Sequence, residues 1–271
     1  MNYWKDREEL KEKAISHTEL MAAGYEEDIT KSIAGSKIYG GGGIAVKRFA
    51  SEKTRPSALI RRDTVEALFE TPQDKHIAVL NFASYTHPGG KFIEGSSAQE
   101  ESLCHASFLY NVLKEFPEYY KWNEEHKERG LYLDRAIWTP RVKFFNKDGC
   151  VREADVITCA APNRSVMINY DAFSEVDNLM ALRQRTRFLS NIVSTPEDRP
   201  DIVILGAWGC GVFKQITASV FNLLEDSFEN IDVERIYAVP DLATFTQFQK
   251  HKQERDDRVT ERNLIRKVAS I

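Results

Sequence analysis

Residues 201–207 read DIVILGA, with four large apolar side chains in succession and no polar residue to mark a wet face. A strand with one solvated side alternates apolar and polar residues, so this one belongs in a sheet covered on both faces. It is preceded by VDNLMALRQRTRFLSNIV, apolar at helical spacing, and followed through a Gly-rich turn by the helical KQITASVFNLLEDSF. VERIYAV then reads as a strand and DLATFTQFQKHK as a last helix, while HIAVLNF, AIWTPRVKFF and ADVITCAA are earlier strands. Strands alternating with helices point to an α/β sandwich with a mixed or parallel sheet.

The N-terminal part is less regular. Residues 3–24 form a charged amphipathic helix ended by Gly24, expected to lie outside the main core. SKIYGGGGIAVKRF holds two short alternating runs broken by Gly40 to Gly43, a stretch that suits a hairpin loop or a phosphate cradle, the loop being the commoner use. Asp63 and Glu66 have capping-box spacing and open a short helix. One helix is expected from about Ala98 to Leu113 and another within FPEYYKWNEEHKERG. No internal repeat or low-complexity linker interrupts the chain, so it reads as an extension, 1–55, followed by one domain, 56–271.

The formal net charge of −4 argues against general nucleic-acid binding. No run approaches the roughly 20 apolar residues that cross a bilayer, and the charged start lacks an apolar signal core, so a cytoplasmic protein with no membrane partner is expected. Cys104, Cys150, Cys159 and Cys210 are scattered without zinc-site spacing. They read as reduced thiols, the first three packed in apolar surroundings. No metal site and no cofactor is expected.

Two loops follow strands and carry unusual composition: 82–98, containing HPGGKFIEGSSA from His87 and followed directly by QEE, and GAWGCGVF, 206–213. Such loops expose backbone N–H groups and helix N-termini at the carboxyl ends of strands, where α/β proteins bind ligands. Familiar nucleotide motifs are absent. Gly90-Lys91 is followed by Phe92 rather than Ser or Thr, and the second loop reads GxxGxG in place of GxGxxG. Glycines let a backbone approach a diphosphate closely, but a tight strand-to-helix turn wants them equally. Ser97 and Glu100 have capping-box spacing, which accounts for Glu100 structurally. Glu101, turned about 100° around the helix, falls outside that box. Adjacent acids repel, raising one pKa and keeping a proton available near neutrality, as a general acid requires. A helix N-terminus opposes this by favouring the ionised forms. The pair alone is compatible with dipole stabilisation or with catalysis.

Taken together, the loops resemble the poly(ADP-ribose) glycohydrolases. NFASYTHPGG, eight residues and QEE look like that family's GGG-x(6–8)-QEE signature in its bacterial version, and LGAWGCGVF is similar to its second ligand loop. The resemblance implies a macrodomain-like three-layer α/β/α sandwich with a mixed sheet and an N-terminal helical extension. It also implies hydrolysis of ribose–ribose O-glycosidic bonds in poly(ADP-ribose) or on ADP-ribosylated protein, with ADP-ribose as product. By the same resemblance Glu101 is the catalytic glutamate, Glu100 the neighbouring acid that binds ribose hydroxyls, and Gln99 the completion of the motif. Gly89 and Gly90 touch the distal ribose and diphosphate, and Asn81 and Ser84 approach the distal ribose; Gly209, Cys210, Gly211 and Val212 supply backbone donors to the diphosphate, and Phe213 packs on the nucleotide. Two departures stand out: Pro88 replaces the first glycine of the triplet, and Lys214-Gln215 follows Phe213 where many relatives carry a small residue.

His105, one turn beyond Glu101, lacks the further ligands of a metal site, and His87 reads as a loop histidine. Phe108, Tyr110 and Trp208 read as core or pocket wall. The competing hypothesis is a reader that binds ADP-ribose without turnover. Two retained acids favour the enzyme, since a reader needs the loops but no proton donor.

Overall fold

The computed structural model describes residues 3–51, 53–195 and 199–269. These form a seven-stranded sheet of β1 (Lys37–Gly40), β2 (Ser57–Ile60), β3 (Ile77–Phe82), β4 (Arg135–Phe145), β5 (Val151–Cys159), β6 (Ile202–Gly206) and β7 (Glu234–Ala238). The strand order is β1-β4-β5-β3-β6-β7-β2. β5, β3, β6, β7 and β2 run parallel, while β4 is antiparallel to β5 and β1 to β4.

The uninterrupted apolar run in β6 is explained by burial on both faces. Val203 and Leu205 join one core with Phe188, Leu189, Phe221 and Phe248, whereas Ile202 and Ile204 join the other with Leu68, Leu103, Leu109 and Phe144. Each such side chain contributes about 1.5–3 kcal/mol by leaving water. The first face is covered by α8 (Glu175–Val193), α9 (Thr217–Phe228) and α10 (Leu242–Ala269); the second by α1 (Tyr3–Gly24), α2 (Glu26–Gly35), α3 (Thr64–Glu70), α4 (Gln99–His105) and α5 (Leu109–Leu113). Two further helices, α6 (Pro117–Glu125) and α7 (Arg164–Tyr170), complete the described set. Among the described residues no helix is long and apolar enough to cross a membrane.

The expected capping box of α3 is present, with Asp63 Oδ1 accepting from Glu66 N at 2.8 Å and Glu66 Oε2 from Asp63 N at 3.1 Å. Several expectations are corrected. α1 does not stand outside the core, because Ala14 and Met21 are buried in the second cluster. The glycine run does not close a hairpin: β1 pairs with β4, and beyond Gly43 only an isolated bridge joins Ile44 to Tyr39. The helix expected over 98–113 is broken, since Ser107 Oγ donates to Leu103 O at 2.7 Å and accepts from Leu109 N at 3.1 Å, which ends α4 and restarts the chain as α5. Only two of the three cysteines expected in apolar surroundings, Cys104 and Cys159, are buried; Cys150 is exposed. β2, α2 and α7 are short elements that periodicity does not reveal.

The order of the sheet positions the site. β3 and β6 are direct neighbours and run parallel, so the two glycine loops leave the same edge of the sheet side by side.

Candidate active site

Asn81, the penultimate residue of β3, is wholly buried and donates from Nδ2 to Glu100 Oε1 at 3.1 Å and to Thr158 Oγ1 at 3.3 Å. The loop then turns so that Ser84 N donates to Glu100 Oε2 at 2.7 Å. Gln99, the first residue of α4, accepts from Phe82 N at 2.8 Å and donates to Leu80 O at 2.9 Å and Thr64 Oγ1 at 3.1 Å. Its amide therefore pins the start of α4 to the end of β3, which delivers both glutamates to the strand terminus.

The expected Ser97–Glu100 capping box does not form. The N-cap of α4 is Ala98, without a side-chain cap bond, and both Glu100 oxygens are engaged by Asn81 and Ser84. Donors from the adjacent strand and loop out-compete the local bond because they reach Glu100 inside the protein, where water cannot replace them. Glu101 is also buried and accepts from Lys91 N at 2.9 Å.

Gly90 adopts φ +61°, and a Cβ there would stand 2.7 Å from Glu101 Oε1 and 2.9 Å from Glu100 Oε2. Both carboxylates thus lie against one bare α-carbon. Gly89, at φ +66°, packs equally closely on the Tyr110 ring, 2.7 Å from a hypothetical Cβ.

Burial pushes the Glu100 carboxyl up from its usual 4.5 to about 8; the Glu101 charge adds to the rise, and the Ser84 and Asn81 donors oppose it. One acid of the pair is raised, as repulsion predicts, but it is Glu100, and desolvation is the larger cause. Between pH 4.5 and about 8 the folded chain holds a proton that the unfolded chain has released, so unfolding free energy falls as pH rises through that window and levels off above it. Melting temperature should therefore decline more steeply from about pH 5 to about pH 8 in the parent protein than in Glu100→Gln. Parallel curves would show that Glu100 carries no such proton.

The second loop walls a cavity of about 420 Å³ with Gln99, Ser102, Phe82 and residues 207–213. The two glutamates do not line this cavity; they lie one and two residues beyond Gln99, against Gly90. Trp208 is buried and donates from Nε1 to Cys159 O at 3.0 Å, anchoring the loop to β5. The Cys210 amide is turned inward to Ala207 O at 3.0 Å, and burial pushes its thiol up to about 12. Among the described residues nothing accepts from the amides of Gly211, Val212 or Phe213, and Val212 is 74% exposed. Gly209 N is likewise without an acceptor among the described residues, so it joins these three as an available donor of the loop.

Gln215, one of the departures from the expected pattern, is buried and donates to Pro162 O at 2.7 Å and Asn178 Oδ1 at 2.8 Å. It ties the loop to α8, its amide engaged by Pro162 and Asn178. His105 packs edge-on against Phe92 at 4.6 Å, and no group of three His, Cys, Asp or Glu converges among the described residues. His87 is exposed on the loop; Phe108 is core. Sequence reading missed Thr64, which receives the Gln99 amide, and Asn178, which holds Gln215. Neither sits in a motif, so only proximity in the fold exposes them.

The family described as "Microbial-type PARG, catalytic domain" matches residues 10–147, half of the chain. The chain belongs to this family. The microbial-type PARG fold extends past the matched segment. Poly(ADP-ribose) glycohydrolase from Thermomonospora curvata superposes with TM-score 0.80 over 90% of this chain and 100% of that one, at 24% identity. The same enzyme bound to the inhibitor ADP-HPD gives TM-score 0.76, also at 24% identity, over 90% and 99%. The Deinococcus radiodurans enzyme in complex with ADP-ribose gives 0.71 at 25% identity over 83% of this chain and 97% of that one. No curated protein matches the sequence. The two glycine loops follow the carboxyl ends of neighbouring parallel strands, the first inside the family match and the second outside it.

Proposed function

We propose that this chain hydrolyses ribose–ribose O-glycosidic bonds of poly(ADP-ribose), free or attached to protein, and releases ADP-ribose, with Glu101 as general acid and base on a macrodomain-like fold. The observation that carries the residue assignment is the buried glutamate pair pressed against Gly90 at the end of β3, beside a cavity walled by the second glycine loop. About 420 Å³ falls within the range of small-molecule pockets. The structural relatives holding ADP-ribose and ADP-HPD support a ligand of that class.

In this reading the amides of Gly211, Val212 and Phe213 hold the diphosphate, which places the scissile bond at the first loop. Glu100, held by Asn81 and Ser84, meets the ribose hydroxyls. With its carboxyl protonated near neutrality, the buried pair avoids two adjacent charges. The proton shared by the pair reaches the departing 2′ oxygen through Glu101 as the sugar develops oxocarbenium character, and Glu101 recovers it from the attacking water. A reader would have no use for two buried carboxyl groups, whose desolvation is unfavourable.

Incubation with labelled poly(ADP-ribose) should release ADP-ribose, and free ADP-ribose should raise the melting temperature because it binds only the folded state. Binding without any release would establish the reader instead; absence of both would remove the glycohydrolase reading.

A further inference from the structure

We propose that Tyr132 is a positioning residue that ties the two glycine loops together and sets the width of the ligand cleft; the inference rests on the glycohydrolase reading above. Tyr132 belongs to neither loop and does not line the cavity. Its ring nevertheless touches an aromatic residue of each loop. One face stacks on Tyr85 of the first loop, with centroids 4.1 Å apart and planes at 14°. Phe213 of the second loop meets the same ring edge-on at 6.1 Å and 63°.

The connecting segment is built at a conformational cost. Glu128, Arg129 and Tyr132 have φ of 45°, 57° and 61°, a left-handed region unfavourable to side chains with a Cβ, and Gly130 between them has φ of 105°. Bonds at both ends hold it there. Gly130 N and Tyr132 N both donate to Lys127 O, at 2.8 and 3.2 Å, and Asn163 N donates to Gly130 O at 2.7 Å. Tyr85 clamps the far end, its hydroxyl accepting from Leu133 N at 3.2 Å and donating to His126 O at 3.3 Å.

The links close a circuit through the site. Asn163 Nδ2 reaches the Tyr132 hydroxyl at 3.5 Å, and two residues on Ser165 N donates to Phe213 O at 3.0 Å. On the other side Tyr85 directly follows Ser84, whose amide holds Glu100. Phe213 lines the cavity, so the Tyr132 ring couples one of its walls to the loop that holds Glu100, alongside the direct wall made by Phe82, Gln99 and Ser102. Strained segments persist where the surroundings over-determine them, and here the strain holds the ring between the two loops.

The test compares Tyr132→Ala and Tyr132→Phe with the parent chain by ADP-ribose calorimetry, kcat and KM on poly(ADP-ribose), and melting temperature. Tyr132→Ala should weaken ADP-ribose binding and raise KM by roughly tenfold or more while changing kcat at saturation by less than about threefold. Tyr132→Phe should restore affinity to within about threefold, because the ring and not the hydroxyl makes the bridge. Should Tyr132→Ala fold poorly, Tyr132→Leu combined with Phe213→Ala supplies a double-mutant cycle, and the pair should be scarcely weaker than Phe213→Ala alone. Unchanged affinity in a folded Tyr132→Ala, or fully additive losses in the cycle, would overturn the bridge and leave the glycohydrolase reading intact. A parent chain that neither binds ADP-ribose nor cleaves polymer would overturn both.

Discussion

Glu101→Gln should leave ADP-ribose affinity nearly unchanged and reduce polymer turnover by roughly 10²–10⁴-fold, the contribution of a positioned general acid. Glutamine preserves the size of the side chain, and its amide oxygen can still accept from Lys91 N, 2.9 Å away in the parent. What disappears is the transferable proton. The neighbouring Glu100→Gln should behave differently. Its two oxygens face two donors, Asn81 Nδ2 and Ser84 N, and a glutamine must turn an NH₂ group toward one of them. That substitution should therefore weaken binding and disturb the loop more than it alters the chemical step. Steady-state hydrolysis, ADP-ribose calorimetry and thermal melting on both variants separate the roles. A fully active Glu101→Gln would be fatal to the assignment.

Gly90→Ala should be nearly as damaging to turnover, by about 10²-fold or more, without removing any chemical group. The added methyl would lie 2.7 Å from Glu101 Oε1 and 2.9 Å from Glu100 Oε2, distances that require both carboxylates or the loop to move. Displacement of a catalytic group by about 1 Å can cost that much rate. The φ of +61° adds about 1–2 kcal/mol of backbone strain for any residue with a Cβ. Gly24→Ala, away from both loops, is the control, because a Cβ there meets nothing within 4 Å and its backbone is not left-handed. It should fold and turn over close to the parent. Equal activities of the two alanine variants would show that the contact at Gly90 does not govern the carboxylates.

The same residues show where sequence reading succeeds and where it stops. The Asp63–Glu66 box was legible because both partners lie within one helical turn, and nothing in the fold competes for them. Ser97 and Glu100 have the same spacing, yet the box is absent: Asn81 and Ser84, 19 and 16 residues upstream, reach Glu100 first. Adjacency in sequence predicts repulsion, but burial, a property of the packed site, is the larger cause of the rise at Glu100.

The sequence by itself determined the sandwich with its doubly covered strand, the two loops, and the spacing that puts a glutamate pair at a helix start after a glycine turn. Those features depend on periodicity and on neighbours a few residues apart, which a linear chain displays directly. The tertiary structure alone decided that β3 and β6 lie side by side, that β1 from the N-terminal segment completes the sheet edge, and that Gly90 bears on both acids at once. It also brought Gln215 to Asn178 and Tyr132 between Tyr85 and Phe213, pairs separated by 37, 47 and 81 positions of chain. Such contacts depend on strand order and on what each group gains by leaving water, which only the packed molecule settles.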